Sequence, residues 1–265
     1  MKKFWFILTA LVATCFLVAC SGSQGVSPKT IKEKKKIVVA TESEFAPFEF
    51  KSLVNGKDTL VGADIELAKA IGEKLGVKVE FSVMSFDNVL ANVQSGKADI
   101  AIAGISVTDE RKKVYDFSDS YYTSENVVIV KKDKVNDYTS TDSLAKQTVG
   151  TQKGSVQETV AKKQIPKASV VSLNSNGEMI NELKSGQLQA VVLEKAIAEG
   201  YIAQNDDLTL ANFNLKSDGT DAYAVATRKG SDDLLKEINA VIKETKDSGK
   251  FDQWLKEAST YKQSK

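Results

Sequence analysis

The stretch Asp99–Tyr122, DIAIAGISVTDERKKVYDFSDSYY, carries one strongly placed cation in a setting built to present it. Asp99 to Ala103 alternates polar or small residues with apolar ones between Gly96 and Gly104, the pattern of a short buried strand. Thr108, followed by Asp109 and Glu110, reads as a helix N-terminus: a hydroxyl cap, then two acids where unpaired N–H groups favour negative charge. Arg111 falls just inside that first turn. A guanidinium there, near free backbone N–H groups and the Ser106 hydroxyl, is placed to grip a carboxylate by two parallel hydrogen bonds. The same spacing also fits an ordinary strand, loop and helix with Arg111 on a solvated face.

Upstream, Lys2 and Lys3 precede an apolar run, Phe4 to Val18, that is short for a membrane span and suits an export leader. Leu17-Val18-Ala19-Cys20 matches a lipobox, so residues 1–20 are read as a lipoprotein signal peptide and Cys20 as the lipidated residue. The other cysteine, Cys15, leaves with the leader, and no pair remains for a disulfide. Residues 21–36, rich in Ser, Gly, Gln and Lys, read as a flexible tether. The whole chain has 36 Lys and Arg against 35 Asp and Glu, and loss of Lys2 and Lys3 leaves it near neutral, which gives no reason to expect nucleic acid as a partner.

The remainder is long enough for one large domain or two small ones, and its pattern favours two interwoven lobes. Ile37–Ala40 is a strand, Asp64–Leu75 has apolar residues at helical spacing, Val77–Val83 is a second strand, and Phe86–Val93 is helical again. Strands alternating with helices of this length imply parallel sheet covered by helices. Asn126–Lys132 is a Val- and Ile-rich strand, after which the texture turns to Asp, Tyr, Ser and Thr; the first crossing between lobes is placed there. Strands at 148–151, 169–173 and 190–193 then alternate with helices at 155–163, 177–185 and 194–203. Tyr223–Thr227 reads as the returning strand, followed by amphipathic helices at 232–246 and 251–258. Residues 37–130 with 223–265 form the first lobe in this reading, and 131–222 the second.

GISVTDERKKVYDFSDSYY closely resembles the signature of the bacterial family 3 extracellular solute-binding proteins, the amino-acid receptors of ABC importers, and the similarity runs from about Lys36 to Tyr261. The resemblance implies an α/β, two-lobed, periplasmic-binding-protein-like fold of type II, with two crossing strands as a hinge and the ligand cleft between lobes. It also implies that Arg111 holds the α-carboxylate of a free amino acid, that Gly154, Ser155 and Val156 lie at the same carboxylate with Gln157 beside them, and that the partner is a permease in the membrane. The protein is expected to act as a monomer, without a cofactor, on the outer face of the cytoplasmic membrane.

A zwitterion taken out of water needs each charge paired. The Gly-containing turn at 152–157 leads into a helix whose N–H groups suit an anion, and it lacks the Gly-Lys-Ser/Thr of a phosphate loop. Glu194 follows the apolar strand 190–193 directly, at a carboxyl end of the sheet where open α/β folds bind ligands, and with the Gly104 carbonyl it is the expected partner of the ammonium. An acid in the first turn of a helix is the plainer account of Glu194. Similar receptors usually carry Asp there. Phe45 and Phe86 match the aromatic positions that sandwich the ligand side chain in the family, although aromatics around a proline also suit core packing; Phe48 and Phe50 are assigned to the core. Glu42 matches an acidic position that contacts the far end of the ligand in receptors for basic amino acids and for glutamine, with Glu44 or Asp87 able to share the work. An acid there rewards a guanidinium, ammonium or amide and repels a carboxylate, so arginine and lysine come first and glutamine second.

An enzyme on the same scaffold is the competing class, because some dehydratases of aromatic amino-acid biosynthesis resemble these receptors. The chain has no histidine and, past the leader, no cysteine other than Cys20, which removes most hydrolytic and metal chemistry from consideration.

Overall fold

A computed structural model describes residues 25–217 and 219–264. The leader and Cys20 lie outside the described residues. Helix α1 (Pro28–Lys34) leads into β1 (Lys36–Thr41), a small antiparallel sheet of β2 (Glu44–Phe45), β3 (Glu49–Val54) and β4 (Lys57–Val61), then α2 (Ala63–Leu75), β5 (Lys78–Val83), α3 (Phe86–Gln94) and β6 (Ile100–Ala101). A one-turn helix α4 (Asp109–Lys112) and strands β7 (Tyr115–Phe117) and β8 (Tyr122–Thr123) follow. The chain then builds β9 (Asn126–Lys131), β10 (Thr148–Gln152), α5 (Val156–Gln164), β11 (Ser169–Leu173), α6 (Asn176–Ser185), β12 (Ala190–Glu194), α7 (Lys195–Ala203) and β13 (Leu208–Leu210). It returns through β14 (Ala222–Tyr223) and β15 (Ala226–Arg228) and ends in α8 (Asp232–Asp247) and α9 (Lys250–Ala258).

Two five-stranded sheets with the same plan organise these elements, in the orders β5-β1-β6-β15-β7 and β11-β10-β12-β9-β13. In each, one central strand pairs in parallel with two neighbours, and the fourth strand runs antiparallel to the rest. That antiparallel strand is the one the crossing chain supplies: β9 enters the second sheet, and β15 re-enters the first. Between the sheets β8 and β14 pair antiparallel, Tyr122 opposite Tyr223, so the two crossings are bonded side by side. The result is the expected two-lobed α/β fold. No helix among the described residues is long and apolar enough to cross a membrane.

The local reasons are ordinary ones. Strands β9 and β12 are nearly continuous runs of buried Val, Ile and Leu because sheet covered on both faces leaves no room for alternation. In α8 the buried residues Leu234, Leu235, Ile238, Val241, Ile242 and Thr245 recur at helical spacing along the face that meets α2. Helix α2 stops at Gly76, whose φ of 69° opens the left-handed turn that a side chain would disfavour.

Three expectations need correction. Residues 28–34 of the anticipated tether are helical: Ser27 and Thr30 form a reciprocal capping box, Ile31 is fully buried, and the Val26 N–H donates to Ser231 Oγ at 2.8 Å. Two apolar anchors suffice to dock this segment on the first lobe. Strand β9 bonds to β12 and β13, so residues 126–130 belong with the second sheet and the chain crosses earlier, just after Thr123. The returning strand is split, because Ala224 bonds to Ile105 and Val225 to Ser118 between the crossing ladder and the first sheet.

Candidate functional site

The loops at the carboxyl ends of the parallel strands face one another across the junction of the lobes. Thr108 caps α4 as expected, its hydroxyl accepting the Arg111 N–H at 3.1 Å. This holds Arg111 over the junction. Its guanidinium donates to the Ser106 carbonyl at 2.7 Å and, across the lobes, to the Gly154 carbonyl at 3.1 Å. The Phe86 ring lies 5.9 Å from the guanidinium carbon, within cation–π range. Burial pulls the Arg111 pKa down to about 10, and the nearby Glu194 charge opposes the fall.

Glu194 ends β12 and occupies the N-cap position of α7 without capping it; its carboxylate accepts instead from Gln157 Nε2 at 2.7 Å. The same Gln157 amide also donates to Asn126 Oδ1 at 2.7 Å, which ties α5, β9 and β12 together. Glu194 thus stands at the N-terminus of α7, one residue before the first turn, with its carboxylate turned to Gln157. Ser155 precedes α5 and donates its hydroxyl to the Gln152 carbonyl at 2.7 Å, Gly154 takes φ +77°, and Val156 opens the helix.

Glu42, just beyond β1, is buried, and Gln152 at the end of β10 donates to both its oxygens at 3.3 and 3.1 Å. Desolvation is the main force on each acid: it raises Glu42 to about 8, with Glu44 and Glu194 adding and Gln152 opposing, and raises Glu194 to about 7 against Gln157 and Arg111. Glu194 thus acts on both Arg111 and Glu42. The junction gathers one cation, Arg111, with two acids, Glu194 and Glu42.

The aromatic positions differ from each other. Phe45 is buried in a cluster with Phe48 and Tyr223, at ring-centroid distances of 5.7 and 6.3 Å, and it also touches the site loop, since a Cβ on Gly104 would meet its Cε1 at 2.6 Å. Gly104 itself has φ +54°, so glycine is required there twice over. Phe86 is half-buried beside Arg111. Phe48 and Phe50 are core residues, fully buried. Further contacts across the lobes join Glu44 Oε2 to the Gly177 N–H at 3.1 Å and Lys153 to Asp87 at 2.9 Å. With Arg111–Gly154 and Glu42–Gln152 they describe a closed arrangement.

The chain's residues 37–258 match the model of the bacterial extracellular solute-binding proteins, family 3. The chain belongs to that family. It is 34% identical to the arginine-binding extracellular protein ArtP of Bacillus subtilis (strain 168) over 97% of each chain, and 32% identical to the glutamine-binding protein GlnH of the same organism over 97% of this chain and 98% of that one. Among solved structures, an amino-acid ABC transporter substrate-binding protein, AbpA from Streptococcus pneumoniae bound to L-arginine, is 50% identical, covering 88% of this chain and 98% of its own, with a TM-score of 0.85.

Within this family 3 chain, sequence reasoning missed Gln152 as a partner of Glu42, and Glu49 and Asp64 as buried acids behind the site. The signal that singled out Glu194, a polar residue at the carboxyl end of an apolar strand, applies equally to Gln152. Asp64 reads as an ordinary first-turn acid of α2, and nothing local distinguishes it.

Proposed function

We propose that this protein is an extracytoplasmic, lipid-anchored receptor that captures L-arginine or a close basic analogue between its lobes and presents the closed form, as a monomer, to an ABC permease. Arg111, with the turn Gly154–Val156 and Gln157, receives the α-carboxylate; Glu194 and the Gly104 carbonyl receive the ammonium; Phe45 and Phe86 flank the side chain; and Glu42 receives the distal cation. The observation that carries the choice of ligand is the buried carboxyl of Glu42, braced across the lobes by Gln152. An acid there rewards a cation and repels an acidic side chain. The arginine-bound structure of a family member at 50% identity supports the same choice.

Membrane attachment rests on the Lys2–Cys20 pattern, and Cys20→Ser is expected to release the protein into the medium. What supports a receptor role rather than turnover is the site's set of charged groups, suited to holding a zwitterion, together with the binding proteins among its relatives.

A thermal-shift screen of the twenty amino acids with ornithine and citrulline tests the reading. A ligand at about a hundred times its Kd adds roughly 2.7 kcal/mol, which is several degrees for a domain of this size. Shifts confined to arginine, ornithine and lysine support the reading; a shift with glutamine alone replaces the ligand class, and consumption of prephenate would replace the receptor with a dehydratase.

A further inference from the structure

Two buried carboxyl groups lie outside the set of residues assigned to the ligand, one of them bonded to the site loop at Gly104. Glu49, at the start of β3, and Asp64, in the first turn of α2, are both fully buried. Asp64 Oδ2 accepts two hydrogen bonds, from the Tyr121 hydroxyl at 2.7 Å and from the Gly104 N–H at 3.1 Å. Neither Glu49 oxygen nor Asp64 Oδ1 meets a donor among the described residues, and the two carboxyls act on each other.

Two buried carboxylates side by side cannot both hold a charge, and a single proton between them satisfies both. Burial raises Asp64 to about 6 and Glu49 well above the usual carboxylate range, and the Asp64, Glu42 and Glu194 charges push Glu49 higher. The Tyr121 and Gly104 donors favour the charge on Asp64. The charge is therefore favoured on Asp64, the carboxyl that accepts from Tyr121 and Gly104, over Glu49, which has no donor of its own among the described residues.

We infer that Asp64, held by the Tyr121 hydroxyl, is the positioning residue that aims the Gly104 carbonyl at the ligand's ammonium. The inference rests on the reading above, in which that carbonyl takes part. Gly104 stands past the end of β6, in a left-handed conformation. Its N–H bond to Asp64 fixes the peptide before it, the Ala224 N–H bond to the Ile105 carbonyl fixes the peptide after Ile105, and the Gly104 carbonyl is held between these two anchors beside the Phe45 ring. An anionic acceptor makes the Asp64 bond stronger than a neutral one.

The test is a cycle in which the ligand's amino group is one of the two changes. L-Arginine and 5-guanidinopentanoate, which lacks the ammonium, are titrated into the wild type, Glu49→Gln, Asp64→Asn and Asp64→Leu. The wild type is expected to prefer arginine, and Glu49→Gln, whose amide still donates to Asp64, to keep that preference. Asp64→Leu is expected to lose about tenfold or more of it, with guanidinopentanoate affinity little changed. Asp64→Asn, which keeps an oxygen for Gly104 but not the charge, should lose several-fold and serves if the leucine variant does not fold. A general loss of stability would weaken both ligands alike. Both Asp64 variants retaining the wild-type ratio would overturn the inference, whereas a wild type with no preference for arginine would overturn the ammonium contact itself, and the inference with it.

Discussion

Replacing Glu42 by Gln should change how arginine binding depends on pH, more than it changes the fold. In the ligand-free protein Glu42 titrates at about 8, so near pH 6 it is neutral and must release its proton to hold a guanidinium. A single group of that pKa raises the apparent association constant about fifty-fold between pH 6 and pH 8. Glu194, at about 7, adds about tenfold over the same interval, because it too must ionise to hold the ammonium. Calorimetry in two buffers of different ionisation enthalpy reads the proton release directly. Glu42→Gln should bind arginine more weakly, keep only the Glu194 share of the pH dependence, and lose its preference for arginine over citrulline. Equal pH slopes in wild type and variant, with the same buffer-dependent enthalpy at pH 6 in both, would refute the assignment of Glu42 to the distal cation.

The same groups bear on stability. Glu42, Glu194 and Asp64 all have folded-state pKa values above their ordinary ones, so the stability they contribute is complete near pH 4 and is lost as pH rises through about 6 to 8. The ligand-free Tm should therefore fall between pH 5 and pH 8, and saturating arginine should remove most of the fall; a Tm that rises over this range contradicts the burial of these acids. Glu44→Gln weakens the bond to the Gly177 N–H at the start of α6 and should speed arginine release several-fold in stopped-flow, with the association rate nearly unchanged. Ile31→Ala should lower stability by about 2–4 kcal/mol in urea unfolding and leave arginine affinity alone, whereas a silent variant would return residues 28–34 to the status of a tether.

What the sequence disclosed follows from how far apart the interacting residues lie. Strand β12 was legible to within a residue because sheet covered on both faces writes itself as an apolar run. Arg111 was legible because its cap, Thr108, and the Ser106 carbonyl it grips are within five residues. Gln152 was not, because its partner Glu42 lies 110 residues away in the other lobe, and a glutamine after a strand has no local reason to be there. Glu49 and Asp64 escaped for the same reason, since only the tertiary fold brings them together behind Gly104. Helix α1 was misread because seven residues with one buried side chain fall below the length at which periodicity is a signal.

The central claim is that a basic amino acid bridges the lobes through Arg111. Calorimetric titration of L-arginine into the wild type and Arg111→Ala tests it most directly. The expectation is tight binding to the wild type and a loss of about 2–5 kcal/mol in the variant, the usual cost of leaving the other member of a buried charge pair alone. Unchanged affinity in Arg111→Ala, with both proteins folded, would contradict the account.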